Sequence, residues 1–159
     1  MAAHAYGAKA SIEDLREIKN SLEKLLNHRG ECCEYPLHKA ADSGDLKLME
    51  FLLTTSYDMN TAPEHYLDFT PFMEACESGK TDMARLLIQS SQKHGIDLNA
   101  RDAVQQTAFH MTCVKGNTEL ARLMIESSKE YTIDLNARCE EGSKHFIMLV
   151  KEAEQSWLN

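Results

Sequence analysis

The decapeptide T-A-F-H-M-T-C-V-K-G, Thr107 to Gly116, sets His110 and Cys113 three residues apart. On a helix that spacing puts both side chains on one face. There they could share a zinc ion or serve as a nucleophile and its base. Cys32, Cys33 and His38 form a second group of reactive types close together in sequence. Neither group has the surroundings that such chemistry normally requires. The chain has no C-x-x-C pair of a structural zinc site. It also lacks G-x-S-x-G, H-E-x-x-H and a Gly-rich phosphate loop. No metal, cofactor or catalytic centre is expected. The five cysteines, an odd number, point to free thiols in a reducing compartment, cytoplasmic or also nuclear.

The whole chain narrows the classes further. Its 159 residues are 43% apolar and 26% charged, as in a soluble globular domain. No apolar run approaches the ~20 residues that cross a bilayer, and Met1 to Lys9 lacks the build of a secretory signal. A protein without a membrane partner is therefore expected. The formal charge is −8, with acidic residues spread along the chain. Tracking phosphates needs clustered Lys and Arg, so nucleic acid is not an expected ligand. A protein with a basic and apolar surface is electrostatically easier to bind.

The elements that must position His110 and Cys113 are repeated. Y-P-L-H-K-A-A-D-S-G from Tyr35, T-P-F-M-E-A-C-E-S-G from Thr70 and T-A-F-H-M-T-C-V-K-G from Thr107 align at offsets of 35 and 37 residues. Each is followed by a second apolar element: L-K-L-M-E-F-L-L, T-D-M-A-R-L-L-I and T-E-L-A-R-L-M-I. I-D-L-N-A-R then occurs from Ile96 and again from Ile133. Thr70 suits an N-cap and Pro71 a first helical position. Leu48/Phe51/Leu52, Met83/Leu86/Leu87 and Leu120/Leu123/Met124 predict one buried face on each second helix. Gly95 predicts a helix stop, and the alternating Ile-Asp-Leu-Asn a short extended finger. Helix, turn, helix and finger form a unit too small to bury its own apolar face, so copies must stack.

With T-P-L-H-x-A-A-x-x-G, L-L and D-x-N in register, the chain resembles ankyrin-repeat proteins from Glu31 onward. The resemblance implies an all-α solenoid of helix-turn-helix units with short finger hairpins. The repeats would span about 31–64, 65–101 and 102–138, with a degenerate closing repeat over 139–159. Residues 1–10 are expected to be disordered. The amphipathic stretch 11–30 is expected to be a helix covering the first repeat. The surplus over the usual period of about 33 residues falls in Q-S-S-Q-K-H and E-S-S-K-E-Y, an added turn on the second helix.

The same resemblance gives the reactive residues an architectural role. His38 and His110 occupy the box position whose ring ties a first helix to neighbouring finger backbone, and Met73 stands there in the second repeat. Cys76 and Cys113 align with Ala41, the small residue facing the next repeat. One departure concerns the finger turn, where the family places Gly two residues before the box Thr. Here those positions hold Cys33, Asp68 and Gln105, and only Gly142 conforms. Either the fingers turn differently or they carry strain.

Function in such proteins lies on the concave face of finger tips and first helices. In this chain that face offers Tyr66, Leu67 and Phe69, then Ala103, Val104 and Gln106, then Glu140 and Glu141, with Glu77, Val114 and Lys115 from the helices. The aromatic second finger, exposed between acidic flanks, is expected to be the centre of binding. The competing expectation is that the linker before it folds back and buries these groups. The resemblance implies a non-enzymatic, monomeric protein-binding module, an adaptor or a masking inhibitor. I-kappa-B-like proteins and the four-repeat inhibitors of cyclin-dependent kinases are examples. Two other readings stand beside it: an assembly protein that oligomerises through the N-terminal helix, and a substrate for asparagine hydroxylation at Asn60.

Overall fold

The computed structural model describes residues 36–55, 57–62 and 68–138. The expected N-terminal tail, the 11–30 helix, the closing repeat, Tyr66, Leu67, Glu140 and Glu141 lie outside them. Six helices occur among the described residues, with no strand: α1 (Pro36–Ser43), α2 (Leu46–Leu53), α3 (Pro71–Glu77), α4 (Thr81–His94), α5 (Ala108–Val114) and α6 (Thr118–Tyr131). None is long and apolar enough to cross a membrane.

Local sequence sets the helix starts. Pro71 opens α3, and Thr70 Oγ1 accepts the Met73 amide at 3.3 Å, removing one of the unpaired donors of the first turn. Asp45 caps α2 by accepting from Leu48 N, and Asn117 caps α6 by accepting from Leu120 N. Lys80 holds the same position before α4 but supplies no side-chain cap. Gly95 ends α4 in the left-handed region, where its missing Cβ removes the steric cost. Both α4 and α6 run 14 residues against 8 for α2, and Q-S-S-Q-K-H and E-S-S-K-E-Y supply the difference.

Like elements stack on like: α3 against α5, α4 against α6, and α2 against α4. Within repeats, α3 packs on α4 and α5 on α6. Phe72, Phe109, Met49, Leu52, Met83, Leu87, Ile88, Leu120 and Met124 are enclosed. This core lies between repeats, the burial that one unit alone cannot supply. The apolar stripe of the first repeat differs from the expected one. Met49, Leu52 and Leu53 are buried while Leu48 and Phe51 are half-buried. A second helix contacts both its own first helix and the neighbouring repeats. In α2 the buried set keeps the i, i+3, i+4 spacing, rotated one residue on from the expected stripe.

The I-D-L-N segments are not extended strands. Ile96 and Leu98 point inward, but Asp97 Oδ1 accepts the Asn99 amide at 2.9 Å and closes a turn. Asp58 and Asp134 make the same contact with Asn60 and Asn136. A short carboxylate that can reach the backbone two residues on favours a turn over a strand.

Candidate partner-binding face

The box histidines are parts of the scaffold. His38 Nε2–H donates to the carbonyl of Phe69 at 2.7 Å, joining α1 to the second finger. The ring is buried, and burial lowers its pKa, partly opposed by that carbonyl. His110 turns back on its own helix start. Its Nδ1 accepts the Thr107 amide at 3.2 Å and lies 2.8 Å from Thr107 Oγ1. The amide can only donate, so the ring proton resides on Nε2. Burial lowers this pKa too, with the Ala137 backbone acting the other way. Imidazole here does the work of the glutamate in a capping box. Met73, at the same position in α3, is 1% exposed and fills space instead.

The two described cysteines are correspondingly inert. Cys76 is fully buried and its thiol is pushed up to about 12, despite a contact with Thr112 that acts the other way. Cys113 is pushed up to about 11 by burial. Neither supplies a thiolate at neutral pH. Among the described residues no three His, Cys, Asp or Glu side chains are placed to hold a metal ion.

The finger turns are held by a clamp repeated along the stack. Asn60 Nδ2 donates to the Gly95 carbonyl at 2.8 Å, and its Oδ1 accepts the Asp97 amide at 2.7 Å. Asn99 makes the same pair of bonds to Thr132 and Asp134, at 2.8 and 2.7 Å. One side-chain amide thus satisfies both a carbonyl and an amide of the next repeat, which is why D-x-N recurs there. The third finger has further ties. Buried Asp102 accepts the amides of Val104 and Gln106, and Arg101 reaches the carbonyls of Gln105 and Arg138. The recurring I-D-L-N-A-R includes Arg101 and Arg138, but nothing in the repeat alignment marked Asp102. An Asp three residues before Gln105 in a Gly-poor turn was the available signal.

Asp68 (φ 57°) and Gln105 (φ 63°) keep the left-handed turn without glycine, so the fingers turn as in the family and carry strain. The expectation for Phe69 needs correction. Phe69 is 8% exposed and its carbonyl serves His38, so its ring belongs to the core and not to a binding surface. Among the described residues expected on this face, Val104, 45% exposed on the third finger, and Val114, 76% exposed at the end of α5, do stand open, and Leu46 and Tyr57 are exposed outside that set. Ala103 is exposed beside Val104, and Gln106 is half-buried. Lys115 Nζ lies 2.6 Å from Glu77 Oε1, linking α5 to α3 across the face. Ser78 Oγ donates to Asp42 Oδ1 at 2.7 Å one repeat earlier.

A pattern describing ankyrin repeats in three copies matches residues 2–102 of the sequence. The chain belongs to the ankyrin-repeat family. Its all-α repeat solenoid follows from this match and the six stacked helices. No curated protein matches it significantly. Among solved structures it is similar to a chain of the complex of Bd0816, a predatory endopeptidase from Bdellovibrio bacteriovorus, with immunity protein Bd3460. The TM-score is 0.62 at 20% identity, covering 79% of this chain and 63% of that one. At that identity the likeness is one of fold, and the chain spans less than two thirds of that structure's length. Ankyrin repeats are protein–protein interaction modules, and that is the class of this chain.

Proposed function

We propose that this ankyrin-repeat protein is a non-enzymatic, monomeric binder that masks part of a partner protein with its first-helix and finger face. The observation that supports this most is the open pair Val104 and Val114, from the finger and first helix of one repeat. Isolated exposed valines are ordinary. These two share a repeat whose finger is cross-tied by Asp102, Arg101 and Asn99, so the surface is preformed and binding orders little. The raised thiols and neutral histidines favour recognition over catalysis. The similar fold found in a complex of an endopeptidase with an immunity protein supports masking by analogy.

Photo-crosslinking tests the reading. A benzophenone side chain at Val114 should trap a discrete partner. The same group at Gln89, exposed on α4, should trap none. If α4 traps the partner and Val114 does not, the assignment of the face is wrong.

A further inference from the structure

Asp42, Glu77 and Val114 share one register position on α1, α3 and α5, followed by Ser43, Ser78 and Lys115. Two of the followers reach back one repeat, Ser78 to Asp42 and Lys115 to Glu77. Glu74, one turn earlier on α3, does not fit this pattern. It is 5% exposed, and its Oε2 is enclosed without a hydrogen-bond partner. Burial first, and then the negative charges of Asp42 and Glu77, hold its proton on, to about 6.

A buried carboxylate oxygen without a donor is costly. The equivalent position on α5 is Met111, 3% exposed, so the fold accepts an apolar residue there. Stability therefore does not explain Glu74. No metal-holding trio exists among the described residues, and the missing complement is a positively charged donor. Only Oε2 of the two oxygens is enclosed, and the terminal torsion of Glu is broad and two-fold, so either oxygen can turn to a ligand.

We propose that Glu74, with Asp42 and Glu77, receives a basic side chain of the partner protein, arginine before lysine, beside the apolar surface of Val114. This rests on the docking face proposed above and names the chemistry that it recognises. A guanidinium presents five donors in a fixed fork, enough to serve an unpaired oxygen and its anionic neighbours together. Lys115 meets Glu77 through Oε1, leaving the second oxygen of that carboxylate for the same ligand.

The test is selection of a random heptapeptide display library on the purified full chain, on Glu74→Gln, and on Val104→Asp with Val114→Asp. Wild type should enrich peptides with arginine or lysine beside an apolar residue. Glu74→Gln should bind those peptides roughly thirtyfold more weakly, the loss expected when one partner of a desolvated charge pair is removed. Its melting temperature should not fall, because an unpaired charge has been removed. Peptides that depend on the valines yet carry no basic residue would overturn this proposal and leave the docking face standing. Selected peptides indifferent to both sets of variants would overturn both. A chain that sediments as a dimer, and as a monomer when Glu74→Gln is introduced, would assign the face to a second copy and also overturn it.

Discussion

The His38 ring and the Phe69 carbonyl stand 2.7 Å apart, with 31 residues of chain between them. The contact makes the second finger part of the first repeat's framework, and the Phe69 ring is buried with it.

Truncation at either residue should therefore be felt as stability. Phe69→Ala removes a buried aromatic ring and should cost about 3 kcal/mol. His38→Ala should cost about 1–2 kcal/mol through the orphaned carbonyl. Urea denaturation measures both. An unchanged midpoint for Phe69→Ala would return that ring to the exposed surface.

Glu74 gives a pH dependence with a definite sign. Its folded pKa, about 6, lies above the ordinary 4.5. The folded chain thus keeps a proton that the unfolded chain releases, and stability from this group falls as pH rises between those values. By pH 7.5 the penalty is at most about 2 kcal/mol. Glu74→Gln should stabilise by about 1 kcal/mol at pH 7.5 and by nothing measurable at pH 4.5. His38 and His110, held neutral by burial, act in the opposite sense, losing stability as pH falls through 6.5. They are common to both proteins, so the difference between melting curves isolates Glu74.

Among the described residues three other than glycine sit in the left-handed region: Asp68, Gln105 and Thr132 (φ 54°). Thr132 is β-branched and pays most for that backbone. Thr132→Gly should stabilise by about 1 kcal/mol, Gln105→Gly by less, and Asp68→Gly by least. Each contributes backbone groups that glycine retains. Thermal melts that reverse this order would refute the strain argument.

Lys80 precedes α4 with φ −83° and ψ 80°, close to the −75° and 90° of Asp45 and the −78° and 86° of Asn117. The backbone is already set for a cap that the side chain cannot provide. Lys80→Asp should gain about 1 kcal/mol, read from the urea midpoint.

Thiol labelling checks the fate of the cysteines. In native protein at pH 8, Cys76 should resist iodoacetamide and Cys113 should react slowly, while both react at once in denaturant. Mass spectrometry of peptides reports each site. Rapid native labelling of Cys76 would contradict its enclosure.

What the sequence determined by itself follows from repetition. T-P-L-H boxes, second-helix apolar positions and D-x-N recur in register, and recurrence needs no knowledge of how units meet. The helices, their order, the glycine stop at Gly95 and the longer second helices were legible on that basis. Tertiary structure decided what no single repeat contains. Whether Phe69 faces out depends on a histidine 31 residues away, and alternation within one finger cannot report it. Glu74 reads as an ordinary surface residue until burial leaves one of its oxygens without a donor. The I-D-L-N segment alternates like a strand, yet Asp97 bends it into a turn and Asn60 grips it from the repeat before. Each of these outcomes depends on the desolvation and hydrogen bonding of groups from neighbouring repeats, and those exist only once the repeats are stacked.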